Sequence, residues 1–188
     1  MPRYFAAITM LLLLGLVCAR VLLMKSTGIK AMHFGEIDKK DFLIPPLALL
    51  YFYVVFAAAF DLPGLSKQEF FHSGAVSWLG VLLCLAGLTL LFLSLVSFGK
   101  SFRIGIDPDR PDELVTTGVF AFSRNPIYVA FAFVLLGQFL VFSNWILLVY
   151  LVAAMALFHR QVLREEEFLK KRYGRQYSEY CDRVSRYL

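Results

Sequence analysis

Five long stretches of this chain carry almost no charge, and nothing else in the sequence limits its folding as strongly. They are Tyr4 to Met24, Phe42 to Phe60, Gly74 to Phe98, Ile127 to Phe142 and Trp145 to Phe158. Uncharged apolar runs of this kind read as bilayer spans, each needing roughly 20 residues for a full crossing. The whole chain of 188 residues is 59% hydrophobic, where a soluble domain would be nearer half. The expected fold is therefore all-α: an integral membrane protein of about five transmembrane helices with a cytosolic C-terminal helix.

The second run opens with Pro45-Pro46, which suits a first helical turn because the missing N–H groups have no intrahelical partner there. The last two runs are short, and only Ser143-Asn144 separate them, so they are expected to form a tight helical hairpin whose length leaves full crossing open. The first run could be read as a cleaved signal peptide following Arg3. The apolar segments behind it favour a retained span instead. After His159 the chain turns polar and is expected to be helical to its end.

With five spans, the N-terminus, the 61–73 loop and the 143–144 turn share one side, and among the 19 Lys and Arg only Arg3 and Lys67 lie there. The other side holds all the rest, eight of them from Arg160 onward. The positive-inside rule then places the N-terminus outside and the C-terminus in the cytosol. The net charge of +5 is explained by this topology and by anionic lipid, without nucleic acid. Cys18, Cys84, Cys181 and the three histidines show no metal-ligand spacing, so neither a disulfide nor a metal is expected.

Two polar segments fall on the cytosolic side. In the first, Arg124-Asn125-Pro126-Ile127-Tyr128, Asn125 reads as an N-cap and Pro126 as the first helical residue. Arg124 and Tyr128 suit either interfacial anchoring or recognition of an anion at a helix start. In the second, Glu166–Lys170 and Glu167–Lys171 are favourable i,i+4 pairs on a solvated face. Glu165 differs. It falls on the stripe Phe158, Val162, Glu165, Leu169, Tyr173, Tyr177, Tyr180, Val184, where the helical period wants an apolar residue. An acid there needs a partner, for which Arg124, Arg103 or a cationic ligand would serve. Gly99, Gly105 and Gly118 allow turns in the intervening loop, which matches no phosphate-binding fingerprint.

The blocks FGKSFR–IGID, ELVTTGVFAFSRNPIY and REEEFLKKRYGRQYSEYCDRV, taken in this order from Phe98 to Arg186, resemble the isoprenylcysteine carboxyl methyltransferase family, itself related to the phospholipid N-methyltransferases. The first two spans carry no resemblance. What the likeness implies is a multi-pass enzyme using S-adenosylmethionine, with a three-span bundle over 1–98 and a cofactor-binding core over 99–188. It implies a cytosolic pocket at Leu114, Val115, Gly118, Arg124, Asn125, Pro126, Tyr128, Glu165 and Glu166. Arg124 and Glu165 would be its catalytic pair. The implied acceptor is lipophilic or lipidated, enters from the bilayer and is methylated on a carboxyl oxygen. Asn125 stands where the family usually has His, and it cannot titrate near neutral pH. The likeness also implies that His would be tolerated at this position. Phe102 stands where Trp is common. An NADPH-dependent membrane reductase of the sterol-reductase type and a non-enzymatic membrane partner are the competing readings. The former usually carries a different arrangement where this chain has Arg164-Glu165-Glu166.

Overall fold

The computed structural model describes residues 1–26, 44–62, 70, 73–98 and 114–188. Among them every regular element is helical: α1 (Pro2–Ser26), α2 (Ile44–Ala59), α3 (Gly74–Phe98), a 3-10 turn (Gly118–Ala121), α4 (Pro126–Phe142), α5 (Trp145–Tyr173) and α6 (Arg175–Arg183). Helices satisfy every interior N–H and C=O within themselves, which is what a bilayer requires of a crossing segment. Three helices, α1, α3 and α5, are long and apolar enough to cross, while α2 and α4 are shorter apolar helices. At 1.5 Å per residue the 17 residues of α4 reach about 25 Å, just short of a typical hydrocarbon core of about 30 Å.

Glycine decides how α3 and α4 meet. A Cβ on Gly80 would lie 2.6 Å from Gly137 O, one on Gly137 would lie 2.7 Å from Cys84 Sγ, and one on Gly87 would lie 2.7 Å from Ala130 O. Their backbones thus touch along two faces of small residues at helical spacing, which is how helices associate where lipid removes the hydrophobic drive between them. A buried amide then docks α1 on this pair. Gln138, fully enclosed, donates through Nε2 to Ala6 O at 2.7 Å and Thr9 Oγ1 at 3.1 Å.

The expected hairpin is present. Ser143 ends α4 in the left-handed region (φ 40°), and the Asn144 side chain accepts from Ile146 N at 2.7 Å to start α5. Beyond it, the helix does not pause at the polar boundary. The apolar part of α5 ends at Phe158, and the same helix continues in polar sequence to Tyr173. Gly174, at φ +52°, breaks it. The tail is therefore not helical to its end: α6 stops at Arg183 and Val184 is extended. The stripe expected on the tail survives the break, for Val162, Tyr177 and Tyr180 are buried and Phe158, Leu169, Tyr173 and Val184 half-buried.

If the α3–α4 contact is set by its glycines, Gly137→Ala forces the backbones apart and costs roughly 1–3 kcal/mol. Gly15→Ala in α1, where nothing lies within 4 Å of the new methyl group, is neutral or slightly stabilising. Thermal denaturation in detergent separates the two, and equal shifts would contradict this packing.

Candidate functional site

The polar segments expected to share a side do meet, at the end of the bundle formed by the last turn of α3 and the first turn of α4. Gly118 is required by its φ of +63° and by space, since a Cβ there would collide with Ser97 Oγ near the end of α3. The 3-10 turn that follows packs Phe120 against Phe98, with ring centroids 4.5 Å apart, and Tyr180 of α6 donates its hydroxyl to Phe120 O at 2.6 Å. Burial pushes the Tyr180 phenol up to about 12, which keeps it a donor. Leu114 and Val115 lie half-buried in the extended stretch before this turn. Phe102 and Arg103, with the loop 99–113, lie outside the described residues.

Asn125 occupies the N-cap position of α4, but its side chain does not cap. Its Nδ2 donates instead to Glu166 Oε1 at 3.3 Å and to Arg186 O at 3.1 Å. The helix starts where expected, with Asn125 at the cap position and Pro126 first in the helix, but the side-chain cap is absent because two acceptors from distant segments hold the amide away from the local N–H groups. Both amide hydrogens are committed, whereas a neutral imidazole has one N–H to give. A neutral His at this position could therefore serve only one of the two acceptors.

The paired glutamates divide sharply. Glu166 is buried, with its side chain 11% exposed, and does not form the expected surface pair with Lys170. It turns inward. Its Oε1 lies 3.5 Å from Arg124 Nη1, and its Oε2 accepts from Arg186 Nε at 3.0 Å and Nη2 at 2.9 Å. The hydrogen bond from Arg186 to Glu166 raises the guanidinium further above its ordinary value. Arg124 also donates to Cys181 through Nη1, while its backbone N–H donates to Ser185 O at 3.0 Å. The Arg124 Nε is buried and has no partner among the described residues. Glu167 behaves as expected, exposed and paired with Lys171 at 2.6 Å, which lowers its carboxyl pKa.

Glu165 is half-buried, two turns beyond the apolar part of α5. Neutral groups hold it: Tyr128 OH donates to Oε1 at 2.7 Å and Gln161 Nε2 at 3.1 Å. The Tyr128 ring packs on Phe158, with centroids 5.6 Å apart. Burial raises the Glu165 carboxyl above its ordinary value of 4.5, and the two hydrogen bonds only partly offset this. Arg124, expected as a possible partner, is engaged with Glu166 instead. Glu165 thus lies half-buried with no ionic partner among the described residues, and Arg103, the other cation expected for it, lies outside them. That Glu166 belongs to a buried ionic cluster was missed. Gln161 was recoverable as the residue one turn before Glu165; Arg186 and Ser185 carried no local signal.

The arrangement predicts opposite effects for the two acids. Glu166→Gln leaves Arg124 buried against a neutral group, and a loss of about 2–3 kcal/mol is expected, below the full cost of a broken buried pair because Arg186 is partly solvated. Glu165→Gln keeps an acceptor for Tyr128 and Gln161 and removes a charge whose ionisation opposes folding. With its folded pKa raised, the Glu165 contribution to stability is present at low pH and lost as pH rises through that value. The ligand-free Glu165→Gln protein should therefore be at least as stable as wild type at neutral pH. Denaturation of both variants in detergent checks this, and comparable destabilisation would refute the division.

Comparison with known proteins gives a consistent result. The phospholipid methyltransferase family matches residues 75–176, just over half of the chain. Protein-S-isoprenylcysteine O-methyltransferase B of Arabidopsis thaliana is 32% identical over 125 residues, 65% of this chain and 61% of that protein. Protein-S-isoprenylcysteine O-methyltransferase of Tribolium castaneum is 26% identical over 132 residues, 69% of this chain and 45% of that one. The solved structure of the eukaryotic intramembrane Ras methyltransferase ICMT (isoprenylcysteine carboxyl methyltransferase) covers 88% of this chain with a TM-score of 0.60 at 20% identity, and 58% of that structure is matched. The multi-pass helical fold is therefore shared. The chain spans about three-fifths of the length of the plant relatives it matches.

Proposed function

Since this chain belongs to the phospholipid methyltransferase family, we propose that it is a membrane-embedded methyltransferase that uses S-adenosylmethionine and methylates the carboxyl group of a lipophilic or prenylcysteine-bearing acceptor. The observation that carries this reading is the division between the two glutamates. Glu166 has its ionic partners within the protein; Glu165, beside it, has a carboxylate held, among the described residues, by neutral donors.

The residues fit such a cofactor. A half-buried carboxylate with no cation among the described residues suits an ammonium or ribose hydroxyls, and the buried Nε of Arg124, with no partner among those residues, is a donor suited to a carboxylate. Glu165 and Arg124 are the proposed holding groups, and Tyr128 orients Glu165. Leu114, Val115, Gly118, Asn125, Pro126 and Glu166 form the supporting wall. When bound, S-adenosylmethionine would supply an electrophilic methyl group on a sulfonium centre. The chain's own part is to fix orientation, withhold water and answer charge, which is where most of the acceleration of a displacement at carbon arises. Asn125 cannot take a proton, and a carboxylate acceptor requires none to be taken. That favours carboxyl methylation over an amine or thiol acceptor. The acceptor would enter from the bilayer and the cofactor from the cytosol, with residues 99–188 as the cofactor-binding core and the N-terminus outside, an orientation that the distribution of Lys and Arg supports.

Calorimetric titration of the detergent-purified protein with S-adenosylhomocysteine, with NADPH as control, is the decisive test. Micromolar binding of the first alone is expected. NADPH binding alone would overturn the proposal in favour of a reductase, and binding of neither would favour a non-enzymatic partner. Affinity for S-adenosylmethionine should fall on acidification as Glu165 takes up a proton, beginning at a higher pH than an ordinary carboxyl would give, and Glu165→Gln should abolish that dependence.

A further inference from the structure

The final residues of the chain have no part in the function proposed above, yet they are tied to the same motif. After α6, Ser185 O receives the Arg124 N–H at 3.0 Å and Arg186 O receives Asn125 Nδ2 at 3.1 Å. The Arg186 guanidinium grips Glu166 Oε2 through two nitrogens, and Tyr187 OH meets His159 Nδ1 at 2.7 Å. Consecutive residues of one short segment thus reach both the start of α4 and the outer part of α5.

We propose that this segment is a strap that completes the cofactor site, with Arg186 as its positioning residue. Arg186 acts through Glu166 and the Arg124–Asn125 turn. The proposal rests on the methyltransferase reading for its ligand, although the contacts are those of the protein alone.

The reasoning is geometric. Arg124 begins one helix and Glu165 sits on another, so their separation is set by whatever ties α4 to α5 at this end. Glu166 follows Glu165 directly on α5, so any rotation of the helix at this point moves both. Arg186 fastens Glu166 through a two-nitrogen fork, a geometry that lysine cannot reproduce. Two hydrogen bonds to strap carbonyls fix the register of the Arg124–Asn125 turn. Asn125 is suited to this, since a single nitrogen serves both Glu166 and the strap. Release of the strap would leave Arg124 and Glu165 free to drift, and misplacement of about 1 Å is enough to weaken recognition strongly.

The test uses the full-length protein in detergent, with R186Q and R186K and with R183Q as a control. Arg183 is exposed and three residues away in sequence, and its substitution makes the same change in charge without touching Glu166. Two quantities are measured: affinity for S-adenosylhomocysteine, and hydrogen exchange at the backbone amides of Arg124 and Asn125 without ligand. R186Q should bind roughly tenfold or more weakly and exchange faster at Arg124, R186K should fall between it and wild type, and R183Q should match wild type. Should R186Q not fold, R186K decides alone. Wild-type affinity in a folded R186Q or R186K protein would overturn the inference, as would wild-type exchange. Absence of binding by the wild type would instead overturn the proposed cofactor, while the exchange measurement would still decide whether Arg186 positions the turn.

Discussion

A buried carboxylate must be answered by donors close at hand, and at Glu166 that requirement organises one end of the molecule. Arg124 comes from the entry to α4, Asn125 from the same turn and Arg186 from the end of the chain. Each is brought to Glu166 because leaving the charge unmatched would cost several kcal/mol. The result is a junction of three chain segments around two oxygen atoms. Neighbouring residues on a helix diverge by about 100°, so Glu165 cannot share this junction. It is directed to Tyr128 and Gln161, and the pair of acids thereby acquires two different tasks.

This junction would be of little use if the helices beneath it could slide. The glycine contacts prevent that. Gly80, Gly87 and Gly137 bring the α3 and α4 backbones together, so the end of α3 stands beside the start of α4. Ser97 meets Gly118 and Phe98 meets Phe120 as a consequence. Gln138 then holds α1 to α4 by hydrogen bonds enclosed in apolar surroundings. Packing through small residues and sparing use of polar groups are the two devices open to helices in lipid. Here they support a polar site at the bundle's end.

The continuity of α5 joins the apolar and polar halves of the protein. One helix carries Leu147 in the bundle core and Glu166 in the ionic cluster. A displacement of the bundle is therefore passed to the site without an intervening joint. The first joint is Gly174, which lets α6 fold back so that Tyr177 and Tyr180 cover the cluster and the chain end can reach Arg124.

Several features were legible because they are written in local chemistry. Uncharged runs gave the helices, Ser143-Asn144 gave the hairpin, and a single acid on an apolar stripe singled out Glu165. The ordered blocks around Arg124 and Glu165 pointed to the family. Local reading misjudged Asn125 and Glu166, since both had adequate neighbours nearby: a helix to cap in one case and Lys170 in the other. The partners that win are 20 residues away for Arg186 and Glu166 and 41 for Asn125 and Glu166. The sequence alone determined which segments are helical and which residue types are costly to bury. Only the tertiary structure decided which acid meets the arginines and which meets neutral donors among the described residues, because that choice depends on donors that no periodicity or spacing can place beside an acid.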